Sequence, residues 1–80
     1  MYIHIGGDRM IRARELIAIF DISIEQSSKL SSQFMQAAKE QQHVEVVGEE
    51  EVKSIVLTQN YIYYSPISSS TLKKRLYHII

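Results

Sequence analysis

The sequence predicts an α+β fold: a small, mostly antiparallel sheet with two helices, in the order β-β-α-β-β-β-α. Three observations carry that prediction. Short runs rich in isoleucine, valine and tyrosine recur at 2–5, 15–20, 43–47, 52–58 and 61–64, separated by glycine, aspartate, asparagine or proline signals. Between the second and third runs lies a stretch whose apolar residues fall at helical spacing. A second such stretch closes the chain. Strands and helices mixed without strict alternation argue for helices packed on antiparallel strands.

Tyr2, Ile3 and Ile5 have good β propensity, and Gly6-Gly7-Asp8 is a turn signal. Residues 9–14 set Arg9, Ile11 and Ala13 against Met10, Arg12 and Arg14, a mixed pattern. Residues 15–20 read as a largely buried strand, although Ala-Arg-Glu-Leu also suits the start of a short helix. Ser23-Ile24-Glu25-Gln26 fits a capping box, in which the serine oxygen accepts an orphan N–H and the glutamine reaches back. The helix it opens runs to Gln41 or Gln42, with Leu30, Phe34, Ala37 and Ala38 on one face.

His43 to Val47 is the next strand, Gly48-Glu49-Glu50-Glu51 a turn, and Val52 to Thr58 an alternating strand. Gln59-Asn60 turns the chain into Tyr61-Ile62-Tyr63-Tyr64, which Ser65-Pro66 ends. Two adjacent hairpins, 43–58 and 52–65, are expected to form an antiparallel meander. Ser68-Ser69-Ser70-Thr71 supplies N-cap candidates for a final helix with Leu72, Leu76 and Ile79 on one stripe.

Eighty residues allow one domain, expected to span 1–80, and the composition is that of an ordinary globular chain, 45% hydrophobic and 22% charged. There is no cysteine, which excludes disulfides, thiol nucleophiles and cysteine metal sites. No apolar run is long enough to span a membrane. The start Met1-Tyr2-Ile3-His4-Ile5 runs straight into Gly-Gly-Asp, unlike a signal peptide, so a cytoplasmic location is expected. A domain this small buries a modest core, and self-association is a natural source of extra stability.

Enzyme chemistry finds little footing. His4, His43 and His78 are far apart and lack metal-ligand spacing. Gly6-Gly7 is too short for a phosphate loop and precedes a strand rather than a helix. Three consecutive carboxylates on a turn, Glu49 to Glu51, do not easily converge on one cation. The serines at 65–70 suit turns and caps, and none sits in a nucleophile elbow. No catalytic residue, metal or cofactor is expected. A base-stacking platform needs exposed aromatics flanked by cations. Tyr61, Tyr63 and Tyr64 have few such neighbours in sequence, so sheet packing or an oligomer contact is expected of them.

The formal charge is zero, yet it is polarised. Residues 1–51 carry five cations and nine acids, whereas 52–80 carry Lys53, Lys73, Lys74 and Arg75 and no acid. Such asymmetry suits head-to-tail self-association, and equally suits ordinary solvated charge. In an extended strand Arg12 and Arg14 share a face and Arg9 takes the other. There they suit phosphate contacts, or protection of an edge strand. Lys73-Lys74-Arg75 lies opposite the stripe of the last helix, suited to phosphate or to the helix dipole.

Three segments carry a resemblance: Met1-Tyr2-Ile3-His4-Ile5-Gly6, Ile17-Ala18-Ile19-Phe20-Asp21 and Lys53-Ser54-Ile55-Val56-Leu57-Thr58. They resemble the small Rem proteins of Gram-positive bacteria, a family of biofilm-matrix regulators. The most specific stretch runs from Ile62 through Tyr63-Tyr64-Ser65-Pro66 to Leu72-Lys73-Lys74-Arg75, and is similar to the B-type rather than the A-type members. The likeness is weakest over 22–52 and brings no catalytic motif. It implies a compact sheet-and-helix subunit that regulates matrix genes. A-type relatives bind duplex DNA as ring-shaped homo-oligomers and carry an arginine-rich turn where this chain has Gly48 to Glu51. Carboxylates there would repel phosphate, so that contact does not carry over. The expectation is a cytoplasmic, non-enzymatic homo-oligomer, in a ring, that contacts duplex DNA. Arg9, Arg12, Arg14 and Lys53 would make the contact, with Lys73, Lys74 and Arg75 as a second surface. The alternative is an assembly module that acts through a paralogous regulator without touching DNA. No membrane partner is expected.

Overall fold

The computed structural model describes the backbone of residues 1–27 and 29–79 and the side chains of 1–25 and 32–78. Strands β1 (Tyr2–Gly6) and β2 (Arg9–Arg12) form an antiparallel hairpin. Gly6 and Gly7 turn it with φ of 127° and 50°, values that side chains disfavour. A 3-10 turn (Ala13–Glu15) leads into β3 (Leu16–Asp21), followed by helices α1 (Ile24–Ser27) and α2 (Lys29–Gln41). Then come β4 (His43–Val46), β5 (Ser54–Thr58), β6 (Tyr61–Ser65) and α3 (Ser69–Ile79). The fold is α+β and mostly antiparallel, as the sequence predicts.

The main sheet has the order β3-β5-β6-β4. Alternate residues of its central strands feed two cores. Val56 and Tyr63 pack with Ile3, Ile5 and Ile11 of the hairpin and Leu72 of α3. Ile55, Leu57, Ile62 and Tyr64 pack with Met35 of α2 on the opposite face. The sheet is therefore the middle of three layers, with α1 and α2 on one side and the hairpin with α3 on the other. Because both faces are covered, every residue of β5 is buried.

Buried serines join the layers. Ser65 Oγ donates to the Ile5 carbonyl at 2.5 Å and accepts from the Ile67 N–H at 3.0 Å. Ser54 Oγ donates to the Ile67 carbonyl at 2.6 Å. Gly6 also lies close to this junction, since a Cβ there would come within 2.7 Å of the Pro66 ring.

Three readings change. β4 does not form a hairpin with β5; it runs parallel to β6, pairing His43 with Tyr61 and Val46 with Tyr64. Of the expected meander only the β5–β6 hairpin remains, and β3 is the other antiparallel neighbour of β5. Residues 47–53 carry the chain past β6 to β5, with Gly48 at φ 76°. The mixed segment at 9–14 resolves into a separate strand and the 3-10 turn, so three strands precede the first helix. The buried side of α2 is Met35 with half-buried Ala38, whereas Phe34 is 55% exposed and Ala37 is exposed. A shift of one residue rotates a helix face by about 100°. The alternating strand expected at Val52–Thr58 is present from Ser54 onward and is enclosed on both faces.

The starts of α1 and α3 are those the sequence marks, whereas α2 begins at Lys29. Ser68 caps α3, its Oγ accepting from the Thr71 N–H at 3.3 Å. Leu72 is buried and Leu76 half-buried along the predicted stripe. α1 starts after Ser23, whose N–H donates to the Asp21 carboxylate at 2.9 Å. That bond holds the Asp21 carboxyl below its usual range. Gln26, Leu30 and Ile79 belong to the predicted cap and stripes, but their side chains lie outside the described residues. No helix among the described residues is long and apolar enough to cross a membrane.

Candidate nucleic-acid interface

The hairpin, the 3-10 turn and α3 form one layer because Ile3, Ile5, Ile11 and Leu72 share a core. Residues 1–15 and 66–79 carry six cations against two acids, a net of +4. The rest of the chain carries three cations and seven acids, a net of −4. The charge polarity read along the sequence thus recurs in space with the same magnitude. It separates one layer from the sheet and the other helices, and it brings the two arginine and lysine sets together.

Within that layer the cations differ. Arg9 is engaged: its guanidinium pairs with Glu45 of β4 at 2.5 Å and lies 5.6 Å over the Tyr63 ring. Arg75 is engaged as well, donating from Nη1 to the His4 carbonyl at 2.8 Å. His4 in turn meets the Gly7 carbonyl through Nε2 at 2.7 Å. Arg12 makes only a long contact with Glu15, 3.9 Å, with both side chains about half exposed. Arg14, Lys73 and Lys74 are exposed and make no ion pair among the described residues. Arg12 and Arg14 do not share a strand face, because β2 ends at Arg12 and Arg14 sits in the 3-10 turn. They nevertheless line one open cavity of about 410 Å³ with Met1, Tyr2 and Ala13.

Lys53 stands apart. It immediately precedes β5, at the end of the sheet opposite the Gln59-Asn60 turn, and its N–H donates to the Ser65 carbonyl at 2.8 Å. The structure therefore does not group Lys53 with Arg12 and Arg14. The exposed glutamates 49–51 follow Gly48, which touches the Gly7 turn. One end of the hairpin is thus acidic, with Asp8, Glu45 and this loop close by, and the other end holds Arg12 and Arg14.

Two clusters were not legible in the sequence. On the hairpin side, Tyr61 and Tyr63 stack at 5.5 Å and His43 lies 5.6 Å from Tyr61. The i, i+2 spacing of the tyrosines signals a shared face, but His43 needs the parallel pairing and Arg9 needs the hairpin to arrive there. Burial raises the Tyr63 hydroxyl above its usual range, with Arg9 opposing the shift and Glu45 adding to it.

On the α2 side, Tyr64 donates to the Glu25 carboxylate at 2.5 Å, and Lys39 pairs with the same oxygen at 3.1 Å. Lys39 also lies 5.1 Å over the Tyr64 ring. Burial pushes the Glu25 carboxyl up, but the bonds from Tyr64 and Lys39 outweigh it and leave it below the usual range. Lys39 is raised, first by its bond with Tyr64 and also by Glu25, against the effect of burial. The Tyr64 hydroxyl is raised by burial and by Glu25. Among the described residues, no three His, Asp or Glu side chains are placed to hold a metal ion.

A chain 44% identical over 75 residues is extracellular matrix regulatory protein B of Bacillus subtilis (strain 168), and the match spans 94% of this chain and 89% of that one. The profile described as RemA-like, extracellular matrix regulatory protein A-like, matches residues 2–76. With nearly its whole length accounted for, the chain belongs to the RemA-like family of extracellular matrix regulatory proteins.

Proposed function

We propose that this chain is a non-enzymatic regulator of matrix genes that binds duplex DNA as a homo-oligomeric ring. The observation that carries the reading is the net of +4 on the hairpin–α3 layer, with Arg12, Arg14, Lys73 and Lys74 free of tight partners. Cations of this kind release counterions when they meet phosphate, which gives affinity without sequence preference. A ring adds many weak contacts through multivalency, so one subunit need not bind tightly. Specificity then comes from DNA shape and bending. Arg9 and Arg75 belong to the same layer but already have partners within the subunit, and Lys53 contributes at a separate edge.

The test is light scattering coupled to size exclusion, with and without duplex DNA, followed by a salt titration. The expected result is an assembly several times the subunit mass that retains DNA at low salt. Its affinity should fall steeply with salt, by about 0.9 in log–log slope for each phosphate contact. A lone subunit, or absence of binding at low salt, overturns the reading. A second reading is favoured by the exposed Glu49–Glu51 loop: an assembly module that meets a basic surface on a paralogous regulator. Reversing the three glutamates to lysine then abolishes partner binding and leaves any DNA affinity no weaker.

A further inference from the structure

The stacking cluster has an open end. Tyr61 is 40% exposed, and its neighbour His43 is exposed, whereas Tyr63 beneath is buried. The turn that leads into Tyr61 is held rigid. Thr58 Oγ1 donates to the Tyr61 carbonyl at 3.0 Å and accepts from the Tyr61 N–H at 3.1 Å. The Asn60 and Gln59 carbonyls accept from the His43 N–H and from Gln42. With their backbone oxygens occupied, Gln59 and Asn60 keep exposed side-chain amides. These line an open cavity of about 400 Å³ together with Arg14 and Glu15. One rim of the molecule thus places a part-exposed aromatic ring next to a turn whose two amides share a cavity with the Arg14 guanidinium and the Glu15 carboxylate.

We infer that the Tyr61 ring, together with the Asn60 and Arg14 cavity at the turn that precedes it, is a stacking site for an unpaired base of single-stranded DNA. The chemistry is complementary part by part. An aromatic ring stacks on any base, an amide presents a donor and an acceptor to a base edge, and a guanidinium takes the adjoining phosphate. The few cationic neighbours of Tyr61 in sequence hid this, because Arg14 reaches the Gln59-Asn60 turn only through the fold. The site rests on the DNA-binding reading and shares Arg14 with the duplex contact, but the Tyr61 ring belongs to it alone, so the two can fail separately.

The test compares a fluorescent 12-nucleotide oligothymidylate with a random-sequence duplex, bound to the full chain and to its Tyr61→Ala and Tyr61→Phe variants. Tyr61→Ala is expected to weaken binding to the single strand about 5- to 150-fold, the worth of one base stack. Tyr61→Phe should restore it, and duplex affinity should be unchanged in both. Thermal melts confirm that the variants fold. Unchanged single-strand binding by Tyr61→Ala overturns the site, as does wild-type chain that binds duplex but not single strand. Loss of assembly mass in Tyr61→Ala with intact strand binding overturns it too, giving the face to another copy. Wild-type chain that binds neither probe removes both this site and the DNA reading.

Discussion

The two layers that cover the central sheet use charge in opposite ways. In the α1–α2 layer, Glu25, Lys39 and Tyr64 satisfy one another at 2.5 and 3.1 Å and fasten helix to strand. In the hairpin–α3 layer, only Arg9 and Arg75 are held in this manner, and the remaining cations face outward. Both layers cover alternate residues of the same two strands, so the difference is not one of burial. It lies in whether each charge finds its partner within the subunit. Charges already paired at home add little to a ligand, whereas an unpaired cluster on a rigid support is available for one.

The largest test of this comparison removes the support. Leu72 is fully buried and fixes α3 to the sheet. Leu72→Ala should cost about 2–5 kcal/mol in chemical denaturation. Met35→Ala, its counterpart under α2, should cost a similar amount. Only the Leu72 variant should lower duplex affinity at temperatures where both remain folded. Equal effects on binding would show that the layers are not functionally distinct.

Next in size is Gly6→Ala. The backbone φ of 127° and the 2.7 Å approach to Pro66 both oppose a Cβ. A loss of about 1–3 kcal/mol is expected by thermal denaturation. It should be accompanied by faster amide exchange in the hairpin than in α2.

The α1–α2 layer is sharpened by pH. Glu25 sits below its ordinary value of 4.5 when folded, so its ionised form stabilises the fold above that pH. The contribution is lost as pH falls through the folded value. Lys39 is raised from 10.5, so its contribution is full below that pH and is lost above it. Melting temperature should therefore drop at both extremes. Glu25→Gln should flatten the acid limb and cost about 1–2 kcal/mol at neutral pH, where Tyr64 and Lys39 lose a charged partner. DNA affinity at pH 7 should not change.

The smallest effect is expected from Arg9. Its pair with Glu45 is half exposed, and such pairs contribute less than about 1 kcal/mol. Arg9→Met should be nearly silent in stability and should lower the salt slope of DNA binding less than Arg14→Met does. The reverse order would mean that Arg9 leaves Glu45 to reach phosphate.

Most strands and both helix starts could be read from local chemistry, because turn residues and caps act within a few positions. Ser68 is an example: its hydroxyl serves the N–H three residues on, and the run of serines announces it. Pairing partners could not be read in that way. The runs at 43–47 and 52–58 are adjacent in sequence and look like a hairpin, yet β4 lies beyond β6. Nothing local in Val44 or Val46 distinguishes one neighbouring strand from another. The site suffered from the same gap. Arg12 and Arg14 are neighbours already in the sequence, but the tethering of Arg75 to His4 and the meeting of Tyr61 with His43 depend on long-range contacts.

The first residue of the chain has a practical bearing on how the protein is handled. The Met1 carbonyl accepts the Ala13 N–H at 2.9 Å, and Met1 itself lines the cavity shared by Arg12 and Arg14. An affinity tag fused ahead of Met1 would emerge at the mouth of the arginine cavity. Acidic epitopes placed there would compete with phosphate for the guanidinium groups and imitate a loss of function.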